Sequence, residues 1–151
     1  EFRRVLFRSA FANQLPIIKT FLASIPTQKQ AYAYAEGKWT IKEILQHIID
    51  TERIFAYRAL RISRNDTTPL PGFDETIFAN NTEGNKRSLQ DLLTELSAVR
   101  HSNLLLFKSF SEDQLKRVGV ASEHSISVRA IGFMLIGHQK QHQKVFEERY
   151  L

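Results

Sequence analysis

The chain of 151 residues contains no cysteine. Disulfides, zinc–thiolate sites and a thiol nucleophile are therefore excluded, and any metal must be held through nitrogen and oxygen. A chain without cysteine also suits the cytoplasm, which is the expected location. No apolar run approaches the ~18–20 residues that a membrane span requires, so no membrane partner is expected. Glycine and proline are sparse, at six and four residues, and they fall at a few punctuation points. Strand-like alternation is scarce as well, which leaves helices as the dominant expectation.

What is present is ordinary for a globular protein. The hydrophobic share is 42% and the charged share 25%, both near the usual composition. The length suits one domain with a real core. The net charge of +5 raises the question of nucleic acid, but the basic residues mostly alternate with acids and read as a solvated surface. The one exception is the start, Glu1-Phe2-Arg3-Arg4-Val5-Leu6-Phe7-Arg8-Ser9. It resembles the in-frame translation of a sequencing-library adapter. On that reading residues 1–9 are non-native and 10–151 form the domain. Taking three arginines and one glutamate from +5 leaves +3, and no nucleic-acid partner is expected.

Four amphipathic helices are expected. The first covers Ala10 to Ser24, with Pro16 kinking it or marking its true start. After a connector with a short turn near Gln28–Tyr32, Thr40 and Glu43 form a capping box that opens the second helix. The pattern Ile41, Ile44, Leu45, Ile48, Phe55, Ala59, Ile62 carries that helix to about Arg64. A long loop, Asn65 to Thr82, holds Pro69-Leu70-Pro71-Gly72-Phe73-Asp74-Glu75, and its length suggests that it is functional or packed. The third helix starts near Ser88, Ser111 and Gln114 cap a short turn, and Gly119–Ser127 is a loop or hairpin-like link. The fourth helix runs from Ser127 to Tyr150. Together these predict an all-α four-helix bundle.

The five histidines separate on the helical wheel. His138 and His142 are four residues apart on the last helix and so share a face. With His138 at 0°, Ile131 falls near 20°, Leu135 near 60°, Met134 near −40° and Val145 near −20°, at about 100° per residue. The pair is thus expected in the middle of the apolar stripe. His47 lies on the flank of the second helix's buried face, whereas His101 points outward and His124 lies in a loop. A buried imidazole needs partners for its nitrogens, at a cost of about 1–3 kcal/mol for each one unmet. A single ion satisfies three at once. His47, His138 and His142 are therefore the candidate ligands for Zn²⁺, Ni²⁺ or Fe²⁺, with an open position for water or substrate.

Asp50 and Glu52 follow His47 by about one turn and could orient a ligand or act as a base. By wheel angle Asp50 faces solvent and Glu52 a helix interface. A surface carboxylate and an ion pair with Arg53, Arg58 or Arg61 are the simpler roles. Thr51 is the residue turned toward the site. Trp39, the single tryptophan, suits a packing anchor better than a substrate contact.

Gly37-Lys38-Trp39-Thr40-Ile41-Lys42-Glu43-Ile44-Leu45-Gln46-His47-Ile48-Ile49-Asp50, the following Thr51-Glu52-Arg53-Ile54-Phe55-Ala56-Tyr57-Arg58, the Pro69–Glu75 loop and the closing His138–His142 and Glu148-Arg149-Tyr150-Leu151 together resemble the DinB-like superfamily. The resemblance implies an up-down-down-up bundle, a divalent metal on His47, His138 and His142, and a homodimer as a common state. It also implies a metal-dependent hydrolase or a thiol-dependent S-transferase acting on a small-molecule substrate, the latter with a low-molecular-weight thiol as cofactor. The contrasting expectation is a non-catalytic, stress-related helical binding module whose metal site is vestigial and closed off by apolar side chains.

Overall fold

The structure is a computed structural model. It describes the backbone of residues 2–151 and the side chains of residues 9–151. The reading of residues 1–9 as non-native lies almost wholly outside the described side chains.

The described residues form six α-helices and one hairpin, besides two short 3-10 turns: α1 (Phe2–Ala23), α2 (Ile41–Ser63), α3 (Glu75–Asn80), α4 (Leu89–Ser109), α5 (Glu112–Lys116), β1 (Val118–Ala121), β2 (His124–Ser127) and α6 (Val128–Arg149). The four long helices form the bundle. Both α1 and α2 pack against α4 and α6, so α1 and α2, though consecutive long helices, sit across the bundle from each other.

Local chemistry sets most of the boundaries. Thr40 Oγ1 accepts from the Glu43 backbone N–H, and the Glu43 carboxylate accepts from the Thr40 N–H at 2.8 Å, the reciprocal pattern of a capping box. Ser88, Ser111 and Ser127 cap α4, α5 and α6 in the same sense, each accepting from a backbone N–H three residues on. These starts agree with the sequence. Two boundaries differ. First, α1 begins at Phe2 rather than Ala10 and continues through Pro16. Proline removes one helical N–H, but burial of Phe11, Gln14, Ile18 and Leu22 on one face holds the helix together across it. Second, the expected loop from Asn65 to Thr82 contains α3, whose first turn is capped by the Asp74 carboxylate at 2.9 Å from the Ile77 N–H.

The expected link around Gly119 is a true hairpin, with Val118 paired to Ser127 and Ala121 to His124. Its two turn residues, Ser122 and Glu123, have φ of 51° and 67°, as a two-residue hairpin turn of right-handed twist demands. Leu70 adds to the edge: its N–H donates to Val120 O at 2.9 Å and its carbonyl accepts from the Ser122 N–H at 3.0 Å. Gly119 lies so close to α2 that a Cβ there would stand 2.6 Å from Ile62 Cγ1. Loop and hairpin are thereby pressed together over one end of α2.

The core has two apolar clusters. One gathers Ile18, Leu22, Leu45, Ile48, Leu92 and Phe146, the other Phe11, Ala59, Phe107, Phe110, Ile131 and Leu135. A polar layer that joins all four long helices accompanies them. Arg100 of α4 is 2% exposed and Glu52 of α2 1% exposed. Arg100 Nε donates to Glu52 Oε1 at 2.8 Å, and its Nη2 donates to the same oxygen and to Gln139 Oε1 on α6. Arg100 Nη1 donates to Gln14 Oε1 on α1 at 2.9 Å, and Asn103 Nδ2 donates to Glu52 Oε2 at 3.0 Å. The guanidinium also lies 4.7 Å from the centroid of the Phe11 ring. Burial pushes the Glu52 carboxyl up, against the opposing pull of Arg100 and Asn103. The expected ion pair of Glu52 therefore exists, but with Arg100. Arg53 instead pairs with Glu95 and Arg61 with Asp66.

Candidate metal centre

Across the α2–α6 contact, three imidazoles converge. His47 Nε2 is 2.9 Å from His138 Nε2, and His142 Nε2 is 3.0 Å from the same atom. The three possible ligand nitrogens all lie within 4.8 Å of one another. This is the trio that the wheel selected. His101 and His124 are exposed and stand apart from it, and His124 belongs to β2 rather than to a loop.

The placement of the pair on α6 differs from expectation. Ile131, Leu135, Gln139 and Phe146 are buried, His138 and His142 are half-buried, and Met134 is 46% exposed. On the same wheel Gln139 lies near 100° and Phe146 near 80°, at about 100° per residue. The buried face is therefore centred about a quarter-turn from His138, and the histidines lie at its edge. The reason is Gln139. As a polar residue it is invisible to an apolar stripe, yet it is fully inside because Arg100 and the Gln14 carbonyl take up its amide. The pair is thus placed where it meets α2 on one side and open surface on the other.

Convergence of this kind makes poor hydrogen bonding. His138 Nε2 has one hydrogen or one lone pair to offer, but it faces two neighbouring nitrogens. Burial lowers the pKa of His47 and carries that of His138 down to about 3 and of His142 down to about 4, with the adjacent rings adding to both of the latter. All three are neutral at pH 7, with lone pairs free for a cation. Three imidazole nitrogens around one ion with Zn–N of about 2.0–2.1 Å stand roughly 3.3 Å apart in tetrahedral geometry, so small side-chain movements accommodate an ion here. A second observation points the same way. Thr51 Oγ1, one turn beyond His47, is buried without a hydrogen-bond partner among the described residues. The residues present therefore fit a divalent ion.

Asp50 is half-buried and accepts from Gln46 Nε2 at 3.0 Å. Its charge, like that of Glu75, raises the pKa of His47 against the effect of burial. Glu52 is committed to Arg100 and Asn103. Trp39 packs on the first core cluster with its ring centroid 5.1 Å from that of His47, so the anchor is also a wall of the site. Tyr150 Oη fixes it by donating to the Trp39 carbonyl at 2.5 Å.

Two cavities border α2 and α6, and one of them has a triad residue, His142, in its wall. One, of about 350 Å³, is bounded by Tyr34, Trp39, Thr76, His142 and Val145. The other, of about 380 Å³, is bounded by Phe55, Arg58, Phe73, Glu75, Ile131 and Met134. Consecutive residues of α3, Glu75 and Thr76, line different cavities, so this short helix borders both. Glu75 and Arg58 are the site residues that sequence reasoning did not single out. The signal for Glu75 was the unusual length of its loop. That for Arg58 was its wheel position, about −40° from Ile44 and between Thr51 and His47, which is masked by the expectation that an arginine on an amphipathic helix faces water.

Similarity to known proteins agrees with this geometry. A protein of Oceanobacillus iheyensis named as a candidate metal-dependent hydrolase is 25% identical over 121 residues, covering 79% of this chain and 69% of its own length. YfiT of Bacillus subtilis, described as a candidate metal-dependent hydrolase with an unusual four-helix bundle topology, superposes with a TM-score of 0.78. It is 14% identical, and the match covers 96% of this chain and 83% of YfiT. YjoA, a DinB-like protein of Bacillus subtilis, superposes with a TM-score of 0.63 at 17% identity, covering 93% of this chain and 88% of its own. The profile of the DinB superfamily matches residues 14–146, from within α1 to near the end of α6, and the chain belongs to that superfamily.

Proposed function

We propose that the chain is a metal-dependent hydrolase of small molecules, with a divalent ion, Zn²⁺, Ni²⁺ or Fe²⁺, held by His47, His138 and His142. The observation that carries this reading is the convergence of three neutral imidazoles at 2.9 and 3.0 Å. The hydrolase names of the relatives support it. So does the cavity that His142 lines, because a vestigial site would be sealed by apolar side chains.

A bound ion supplies Lewis-acid polarisation and activates water at neutral pH. The protein's own residues do the rest. Burial, full at His47 and partial at His138 and His142, lowers the pKa of all three rings, so protons do not compete for the site near pH 7. Glu75 lines the larger cavity, and its charge reaches His47. We assign it the acceptance of the proton from the attacking water. Thr51 Oγ1, one turn beyond His47 on α2, is an unpartnered hydroxyl, suited to a hydrogen bond with a developing anion. Trp39 and Phe55 wall the two cavities and limit access of bulk water.

Transfer to or from a low-molecular-weight thiol is a second reaction open to the same centre. Assays of one electrophilic ester with and without added thiol separate the two. The direct test of the ion is metal analysis of protein purified without a histidine tag, with about one equivalent expected. Less than about a tenth of an equivalent, with no gain on adding Zn²⁺ or Ni²⁺, overturns the reading. Glu75→Gln should keep the metal and lose turnover by about 10²-fold or more.

A further inference from the structure

Arg58 is 8% exposed, and no carboxylate among the described residues pairs with it. It lines the larger cavity together with Phe55, Phe73 and Glu75. Both hydrogens of its Nη2 are used, donating to the Pro71 carbonyl and to Ser122 Oγ, each at 2.9 Å. These bonds tie the loop and the strained hairpin turn to α2. A guanidinium carries five N–H donors. The three on Nε and Nη1 have no protein acceptor among the described residues. Phe55 and Phe73 lie against the cation, with ring centroids 5.5 and 5.8 Å from Cζ, and exclude water from its faces.

A strut between loop and hairpin would need two donors and no charge. A charge kept from water without a counter-ion is costly, and burial accordingly pulls the Arg58 pKa down with no acidic neighbour opposing it. The counter-ion is best supplied by a ligand. We propose that Arg58 is the anion subsite of the enzyme: it binds the singly charged head, a carboxylate, of an amphipathic substrate whose apolar body lies along the cavity and whose reacting group reaches the histidine triad. This assignment rests on the metal-hydrolase reading above and names its substrate class.

Three features define that class. Arg58 is eleven residues beyond His47 on α2 and lies on nearly the same face, roughly 16 Å along the axis, so the substrate is elongated. The cavity beside Arg58 has an apolar wall of Phe55, Ile126, Ile131 and Met134. One arginine faces the anion, and Glu75 shares the cavity. A dianion such as phosphate is therefore disfavoured relative to a carboxylate.

The test titrates hexanoate, hexanamide and inorganic phosphate into zinc-loaded wild-type protein and into Arg58→Gln, following backbone amides of Gly72 and Ser122 and the wild-type Arg58 Nε–H by NMR. Wild type should bind hexanoate at least about tenfold more tightly than hexanamide, as expected for a charge-assisted pair. Hexanoate should move the Arg58 Nε–H resonance, and Arg58→Gln should bind acid and amide alike. Equal binding of the two by wild type, an unchanged Arg58 resonance, a preference that survives in Arg58→Gln, or tighter binding of phosphate than of hexanoate overturns the proposal. The first two outcomes are read on wild type alone and decide the matter if the variant fails to fold. Zinc content is measured on both proteins. Wild type that takes up neither Zn²⁺ nor Ni²⁺ refutes the triad reading, and the same titrations of the metal-free protein still test Arg58.

Discussion

The histidine triad and the Glu52–Arg100 layer are neighbours, since His138 and Gln139 are consecutive on α6 and supply one residue to each. Both place polar groups inside a small bundle, yet they are built in opposite ways. In the layer, each partner of the guanidinium is an acceptor: Glu52 Oε1, Gln14 Oε1 and Gln139 Oε1. In the triad, three nitrogens of the same kind face one another, and one turn beyond His47 the Thr51 hydroxyl is unbonded. A buried polar group that is satisfied internally specifies how helices pack. A buried cluster that the protein itself cannot satisfy is arranged for something from outside. Arg58, with donors left over in the larger cavity, repeats the second pattern.

Breaking the layer should cost the most. Arg100→Met leaves the Glu52 carboxylate buried without its cation, and a loss of about 3–5 kcal/mol is expected in urea unfolding, whether or not metal is present. Glu52→Leu combined with Arg100→Met should recover much of that loss, because removing both charges removes the desolvation penalty. If the double variant is as unstable as the single one, the layer is not the self-contained pair described here.

The triad should behave conversely. His142→Ala is expected to abolish the stability that metal confers, about 2.7 kcal/mol at a hundredfold excess of ion over its Kd. In chelator it should melt close to the wild type. Equal losses in both conditions would place His142 with the packing residues.

Acid should also distinguish the regions. The triad's folded pKa values lie below the ordinary 6.5, about 3 for His138 and about 4 for His142. The unfolded chain thus takes up protons first as pH falls. Metal-free protein should lose stability progressively from pH 6.5 toward 4, and His138→Gln should flatten that slope. A slope unchanged in the variant would show that the histidines are not held neutral by burial.

The smallest effect is expected at Thr51. Thr51→Val removes an unpaired buried hydroxyl at nearly constant shape. It should raise metal-free stability by about 1 kcal/mol while lowering hydrolytic turnover. Lower stability would mean that the hydroxyl has a partner after all.

Much of this was readable in the residues. Capping at Thr40, Ser88, Ser111 and Ser127 is a local code, since the side chain and the N–H it serves are three residues apart. The histidine pair was readable for the same reason: spacing of four on a helix is local geometry. The hidden parts share a different cause. Gln139 looked like a solvent residue and proved to be at the centre of the buried face of α6, which shifted the histidines to its edge. Arg58 and Arg100 fall inside the apolar stripes of α2 and α4 on the wheel, about −40° from Ile44 and about 20° from Leu89, but as residue types they read as surface arginines. Pro16 looked like a boundary, yet packing of α1 carries the helix past it.

By itself the sequence determined an all-α bundle, most of its helix starts and the three imidazoles able to meet. These follow from helical periodicity and from hydrogen bonds between residues close along the chain. Only the tertiary structure decided which charges are buried, with whom they pair and which are left unpaired. Glu52 and Arg100 are 48 residues apart, and Arg58 and Ser122 are 64 apart. The partners of a polar side chain across such separations are chosen by how helices and loops dock, and no local pattern along the chain encodes that choice.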